Sequence, residues 1–258
     1  MKNIIINVDD LGFSSAVNRA VVVLAEQERI HATSFMSLGS IEDAQVCALK
    51  DANIEIGLHF DLTGLAQQGS LKSVLLKSYL RQFSTEQLKS LIELQFDQFE
   101  AKIGAIPAFV DGHQHVHQFP QVRQILLDCI QQRYQQKIPI RNTSTYQTEL
   151  KAKIIYYLGG STLQHQLLEK HWPHNASFAG IYDFNADMAR LQQLWQQWLQ
   201  YAPDNTVIMC HPAQLDPTWK DEISAARYLE YQWLLSTDFL ELWQKNQCQA
   251  QSWHHLAI

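Results

Sequence analysis

The fold of this chain is decided by a short stretch near its start, Ile4-Ile5-Ile6-Asn7-Val8-Asp9-Asp10. Its apolar part predicts a strand that is buried on both faces, as the strands of parallel sheets are. Ser14 or Ser15 then provides a cap for a helix whose apolar residues return every three or four positions. This order of buried strand, polar turn and amphipathic helix predicts an α/β fold.

Short apolar runs of the same kind recur along the chain and alternate with helical patterns. Further strands are predicted at His31–Leu38, Ile54–Phe60, Ala108–Asp111, Ile138–Arg141 and Thr206–Cys210. Amphipathic helices are predicted at Ser84–Gly104, from Pro120 onward, and near 187–201 and 222–246. Buried strands separated by such helices favour a mostly parallel sheet, either open or closed as a barrel.

Composition limits the function classes that this chain can serve. It has 258 residues, 46% hydrophobic and 18% charged, which is enough for one large core. A formal net charge of -6 disfavours nucleic acid and anionic membranes as partners, since both favour a basic surface. No apolar run approaches the roughly 18 residues of a membrane span, and the four cysteines form no CxxC pair. We therefore predict a cytoplasmic protein with one domain over residues 1–258 and an irregular excursion at 142–183.

Polar side chains that can bind a metal follow several of the predicted strands. Asp9 and Asp10 follow the first strand, His59 lies at the end of another, and His211 follows the last. Taken singly, each suits a structural role, because aspartate is common in turns and a histidine ring is often hydrogen-bonded. The carboxyl ends of parallel strands lie at the same edge of a sheet or barrel. We therefore expect these side chains to converge in one site.

The densest polar stretch is Asp111-Gly112-His113-Gln114-His115-Val116-His117. If it is extended, alternate residues face the same side, which places Asp111 and all three imidazoles together. Burying these groups is costly unless a metal or a hydrogen-bond network uses them. We expect one or two of the histidines to be metal ligands, and the others to support the ligands or to contact substrate.

Four stretches of the sequence, taken in order, resemble the YdjC-like carbohydrate deacetylases. They are Asn7–Gly12, Ile56–Thr63, Val110–His117 and His211-Pro212. The resemblance implies a (β/α) barrel-like fold, as a distorted or incomplete TIM-type barrel, with one divalent metal ion per chain. It also implies a small-molecule substrate, an N-acetylated sugar or oligosaccharide, from which an acetyl group is removed to give a free amine and acetate.

The resemblance implies a role for each residue of the predicted site. Asp10, His59 and His113 would hold the metal. Asp9 would be the catalytic base, and His211 would be the acid or an oxyanion stabiliser. Residues expected to support the ligands or to contact substrate are Asp111, His115, His117 and Arg141. Two histidines and one carboxylate suit zinc or another transition metal, whereas the family is also described with magnesium.

Other interpretations of the sequence stay open. An amidohydrolase or a PHP-type phosphoesterase is also a histidine-rich barrel, but both typically place a His-x-His pair on the first strand, where this chain has Asp9-Asp10. A non-catalytic carbohydrate-binding relative would keep the fold, although the complete set of site residues counts against it. Trp172, Trp219 and Trp253 are candidates for a sugar-stacking platform. The particular sugar, the metal and the oligomeric state are left open, with a homo-oligomer among the alternatives.

Overall fold

A computed structural model describes residues 1–256 of the chain. Within this range the strands are β1 (Lys2–Leu11), β2 (Ala32–Phe35), β3 (Glu55–Phe60), β4 (Val110–Gly112), β5 (Ser177–Ala179), β6 (Thr206–Cys210) and β7 (Cys248–Ala250). They form one parallel sheet in the order β4-β3-β2-β1-β6-β5, and β7 pairs with the first residues of β1. β1 therefore lies at the centre of the sheet, in keeping with its apolar run.

Helices connect the strands and cover the outer side of the sheet. Those within residues 1–256 are α1 (Ser15–Glu26), α2 (Asp43–Asp51), α3 (Leu71–Tyr79), α4 (Thr85–Ile103), α5 (Pro120–Tyr134), α6 (Leu150–Ile155), α7 (Ser161–Glu169), α8 (Met188–Tyr201), α9 (Ser224–Leu235) and α10 (Thr237–Lys245). The hydroxyls of Ser14 and Ser84 cap α1 and α4, and Gly104 ends α4 in the left-handed conformation. None of the helices in this range is long and apolar enough to cross a membrane.

The sheet curves into an incomplete barrel, which confirms the expected barrel-like fold. Isolated parallel bridges continue the arc beyond β4, from Val110 to Ile140 and from Ile140 to His174. The strand predicted at Ile138–Arg141 is thus reduced to one bridging residue. These bridges bring the chain round toward β5, so that the concave side of the sheet is enclosed without a full strand at this position.

Alternation along β1 separates the two faces of the sheet. Ile4 and Ile6 pack in the cluster under the helices. Ile5 faces the concave side and joins a second cluster with Phe109 and Trp253. The rings of Phe109 and Trp253 stack with their centroids 4.3 Å apart. The amino end of the concave side is therefore apolar and packed, which leaves its carboxyl end for polar groups.

Three segments differ from the expectations drawn from the sequence. The strand predicted at His31–Leu38 ends at Phe35. The helix predicted at 222–246 is two helices, because Ser236 is extended and its hydroxyl caps α10. The stretch 142–183, expected to be irregular, contains α6, α7 and β5, and a π-helical turn joins its two helices.

Candidate functional site

The carboxyl ends of the strands bring the predicted residues together on the concave side. The group comprises Asp9 and Asp10 from β1, His59 from β3, Asp111 from β4 and His211 just after β6. One nitrogen of His59 lies 3.4 Å from Asp10 and the other lies 2.6 Å from Asp111. The convergence expected from the strand ends is therefore present in the structure.

Asp9 and Asp10 both reach the site because β1 is irregular near its end. In a regular strand, consecutive side chains point to opposite faces. The pairing of β1 with β2 shifts register between Val8 and Leu11, and Asp10 has a left-handed φ of 70°. Aspartate adopts this conformation more readily than most residues. The irregularity turns two neighbouring carboxylates toward one site.

Arg141 is the cation that lies between two of the buried carboxylates. Its Nη1 and Nη2 donate to the two oxygens of Asp9, at 2.6 and 2.7 Å. Nη2 also lies 2.5 Å from Oδ2 of Asp111. Burial alone would raise the pKa of Asp9, but the charge and hydrogen bonds of Arg141 outweigh it and hold that pKa well below its usual value. Arg141 itself is fully buried, so the structure favours a supporting role over contact with substrate.

His59 is oriented through one nitrogen and offers the other. Its Nδ1 lies 2.6 Å from Oδ1 of Asp111, which assigns the donated proton to Nδ1. Nε2 faces Oδ1 of Asp10. Burial alone would lower the pKa of His59, but Asp111, Asp10 and Asp9 outweigh it and raise the pKa to about 10. The carboxylates that favour a proton on Nε2 would equally favour a metal cation there.

The segment after β4 is not extended, so the predicted alternation of its histidines is wrong. His113–Gln118 forms a short 3₁₀ segment in which Gln114 and His115 have left-handed φ values of 51° and 60°. This backbone rotates consecutive residues away from the period of two that a strand would impose. His113, His115 and His117 therefore take separate positions.

Only the first of these histidines reaches Asp10. Nδ1 of His113 lies 2.9 Å from Oδ1 of Asp10, and its side chain is 16% exposed. Nε2 of His117 donates to the carbonyl of Arg141 at 3.0 Å, and His115 packs against an aromatic ring of β5. Burial lowers the pKa of His117 to about 4 and that of His115 well below its usual value. Both rings are therefore neutral, and in residues 1–256 neither belongs to a cluster of close ligand atoms.

Two groups of side chains place their ligand atoms within 4.8 Å of one another. They are Asp10, His59 and His113, and Asp9, His59 and Asp111. In the second group the carboxylate oxygens already accept hydrogen bonds from Arg141, Ser34 and His59. In the first group, by contrast, Oδ1 of Asp10 faces the imidazole nitrogens of His59 and His113, which are themselves candidate ligands. One carboxylate and two imidazoles fit a divalent transition metal and leave coordination positions open.

His211 follows β6 and is held mainly through its backbone. Its N–H donates to Glu230, and its ring packs edge-on against Phe184 with centroids 5.2 Å apart. Nδ1 of His211 is buried and has no hydrogen-bond partner among residues 1–256. Burial lowers the pKa of His211 to about 4, although Asp10 and Asp9 oppose this shift. The ring is therefore neutral near pH 7.

Helix α9 supplies two buried charged residues that were not predicted from the sequence. Nη2 of Arg227 donates to Oδ2 of Asp10 at 2.7 Å. Glu230 accepts the backbone N–H of His211 and the hydroxyl of Tyr182. Arg227 and Glu230 lie three residues apart within the buried stripe of α9. Charges on the buried face of an amphipathic helix need partners, and this pattern is the signal that would have identified them.

Partly exposed aromatic rings border the site on one side. The ring of Phe13 lies 6.1 Å from that of His113, and Trp219 packs edge-on against Phe13 at 5.8 Å. Of the three tryptophans considered for sugar stacking, Trp172 and Trp253 are buried in the core. Trp219 is therefore the member of that set that borders the site.

Comparison with known proteins gives consistent matches along the chain. The profile of the YdjC-like protein family matches residues 3–245. Chitooligosaccharide deacetylase from Serratia marcescens is 25% identical over an alignment of 229 positions that covers 84% of each chain. The structure of a proposed cellobiose-phosphate cleavage protein from Enterococcus faecalis V583 is similar with a TM-score of 0.72 at 17% identity, covering 100% of this chain and 99% of that one. A family 4 acetyl xylan esterase from Clostridium thermocellum, in complex with a cobalt ion, has a TM-score of 0.52 at 11% identity, covering 98% and 90%. These two structures show a likeness of fold.

Titration of Glu230 predicts a pH-dependent effect of replacing it. Burial raises the pKa of Glu230 from 4.5 to about 7. Its contribution to stability is therefore fully present below pH 4.5 and is lost as the pH rises through about 7. Glu230→Gln removes this titration and keeps the size of the side chain. Relative to the unaltered chain, we expect the variant's free energy of unfolding to increase by up to about 3 kcal/mol between pH 5 and pH 8. Denaturant unfolding in chelator measures this, and a difference that does not change with pH would contradict it.

Proposed function

Because this chain belongs to the YdjC-like family, we propose that it is a metal-dependent carbohydrate deacetylase. Its substrate is an N-acetylated sugar or oligosaccharide, and its products are the free amine and acetate. A relative named chitooligosaccharide deacetylase supports this substrate class. One observation carries the proposal: Asp10, His59 and His113 turn ligand atoms toward one another beside the ionised carboxylate of Asp9.

Asp10, His59 and His113 are the proposed ligands of one divalent ion. When bound, the ion lowers the pKa of water and polarises the acetamide carbonyl. Two imidazoles and one carboxylate favour zinc or another first-row transition metal over magnesium, which prefers oxygen ligands. Asp111 supports the set, because it accepts a hydrogen bond from Nδ1 of His59, so that Nε2 would be the atom that binds the ion.

Asp9 is the proposed catalytic base. Arg141 holds both of its oxygens and keeps it ionised. Asp9 accepts the proton that water loses as the water oxygen bonds to the acetyl carbonyl carbon. The ion pair reduces the basicity of Asp9, but it also fixes the carboxylate in one orientation, which favours proton transfer from a positioned water.

His211 is the proposed acid. Its ring is neutral near pH 7 because burial lowers its pKa to about 4, so it must first receive from Asp9 the proton that Asp9 takes from water. It donates that proton to the sugar nitrogen as the C–N bond breaks. Before it receives this proton, the ring N–H of His211 can donate a hydrogen bond to the developing oxyanion. Glu230 keeps His211 in place by accepting its backbone N–H.

We place the protein in the cytoplasm, working on a small-molecule substrate. All four cysteines are free thiols, and three of them are buried. Unpaired cysteines are typical of reducing compartments. The net charge of -6 also disfavours nucleic acid as a partner.

Acetate release tests the proposed reaction. The purified chain is treated with chelator, reloaded separately with Zn²⁺, Co²⁺ or Mg²⁺, and incubated with N-acetylglucosamine and short chitooligosaccharides. We expect acetate release in at least one loaded form, loss of release in chelator, and recovery on adding the ion back. Absence of acetate from every substrate by a metal-loaded chain would contradict the reaction, and release unaffected by chelator would contradict the metal.

Replacing each of the two neighbouring aspartates by asparagine separates their roles. Asp9→Asn should reduce kcat by about 10²–10⁴-fold, because it removes the base, and should leave the metal content unchanged. Asp10→Asn is the matched variant and should lose the metal. Turnover and metal content of the two variants, after both are shown to be folded by circular dichroism, provide the measurement. If Asp9→Asn loses the metal and Asp10→Asn keeps it, the two roles are reversed.

Trp219 is expected to contact the sugar ring. Its indole is partly exposed beside Phe13 and His113, and the apolar faces of sugar rings pack on aromatic rings. Removing a stacking contact of about 0.5–1.5 kcal/mol by Trp219→Ala should raise KM by about 2- to 12-fold with little change in kcat. Trp219→Phe keeps an aromatic face and should restore most of the loss. Equal KM values for all three proteins would exclude this contact.

A further inference from the structure

We propose that Arg227 is a positioning residue that makes Asp10 a one-oxygen metal ligand, a role that rests on the proposed metal site. The two oxygens of Asp10 have different partners. Oδ2 accepts a hydrogen bond from Nη2 of Arg227 at 2.7 Å. Oδ1 faces Nδ1 of His113 at 2.9 Å and Nε2 of His59 at 3.4 Å. Only Oδ1 is therefore directed toward the other ligand atoms.

Arg227 is itself held on several sides, so its position is well defined. Its Nε donates to Oδ2 of Asp221 at 2.8 Å, and its Nη1 donates to the carbonyl of His211 at 3.3 Å. Its guanidinium lies 5.9 Å from the ring of Phe13 and 5.8 Å from that of Trp219. The side chain is 2% exposed. Each of the three nitrogens thus has its own partner, and Nη2 is committed to Asp10.

Arg141, the other buried arginine of the site, does not take this role. Its two terminal nitrogens already pair with other carboxylates, Nη1 with Asp9 and Nη2 with Asp111. Without Arg227, Oδ2 of Asp10 would be a buried charged oxygen without its cationic partner. The carboxylate could then rotate or present both oxygens to an ion. Either change would alter the number of protein ligand atoms and the positions left open for water and substrate.

A lysine at this position cannot reproduce the arrangement. The planar guanidinium spans Asp10, Asp221 and the carbonyl of His211 at once, whereas an ammonium group is a single point on a flexible stem. Arg227→Lys therefore keeps the charge but loses the geometry, and Arg227→Met loses both. Comparing these variants separates the charge of Arg227 from its directional hydrogen bonds.

Metal binding and the spectrum of bound Co²⁺ test the proposal without use of turnover. Affinity for Co²⁺ and Zn²⁺ is measured by competition with a chromophoric chelator, and the visible absorption of bound Co²⁺ reports its coordination number. We expect Arg227→Met to lose about 10- to 100-fold in affinity and to show an altered spectrum. Arg227→Lys should also show the altered spectrum, with a smaller loss of affinity. Arg133→Met removes an arginine that forms ion pairs with Glu93 and Glu100 of α4, and it should match the unaltered chain.

The outcomes distinguish this role from the proposed function. If both Arg227 variants bind Co²⁺ with unchanged affinity and spectrum, Arg227 is only a structural residue and the inference is overturned. If the unaltered chain binds neither ion, the metal-dependent function fails and this inference fails with it. Thermal unfolding is recorded for each variant, and Arg227→Lys supplies the decisive comparison if Arg227→Met does not fold.

Discussion

Asp9, Asp10 and Asp111 are buried together at the carboxyl end of the sheet, and the site depends on the cations that neutralise them. Asp9 and Asp111 share Arg141, and Asp10 pairs with Arg227. Removing one partner from such a pair leaves an uncompensated buried charge, which costs about 3–5 kcal/mol. Arg141 lies beyond β4 and Arg227 lies on α9, so these ion pairs join two distant segments to the central strand. The same ion pairs therefore neutralise the site and hold these segments against the central strand.

The two ends of the concave side of the sheet differ in character: the amino end is apolar and the carboxyl end is charged. At the amino end Ile5, Phe109 and Trp253 belong to one buried apolar cluster. At the other end Asp10 has a left-handed backbone inside a strand, a conformation that persists only where the surroundings hold it. Apolar packing at the amino end stabilises the incomplete barrel, and this stability offsets the cost of the left-handed backbone at Asp10. The proposed chemistry takes place where the strands stop being regular.

Local patterns in the sequence predicted β1, β2, β3, β4 and β6, whereas the short strands β5 and β7 were not predicted. The apolar runs, the serine caps and Gly104 act within a few residues, so the sequence shows them directly. Partners that lie far apart could not be seen in this way. Arg227 meets Asp10 across 217 positions, and its charge appears only as an exception within a helical stripe. The left-handed residues after Gly112 were also missed, because the same histidine spacing fits an extended segment equally well.

The pairing of β1 also bears on how the chain can fold while it is being synthesised. β1 precedes the other strands of this sheet in the chain, whereas its partners β6 and β7 are the last two of them. A growing chain therefore carries the apolar run Ile4-Ile5-Ile6 of β1 without its β6 partner until residues 206–210 have emerged. Closing such a long loop is entropically costly and slow compared with forming local helices. Nascent chains of this protein are accordingly candidates for chaperone binding through β1, and a product truncated before β6 would lack both His211 and Arg227.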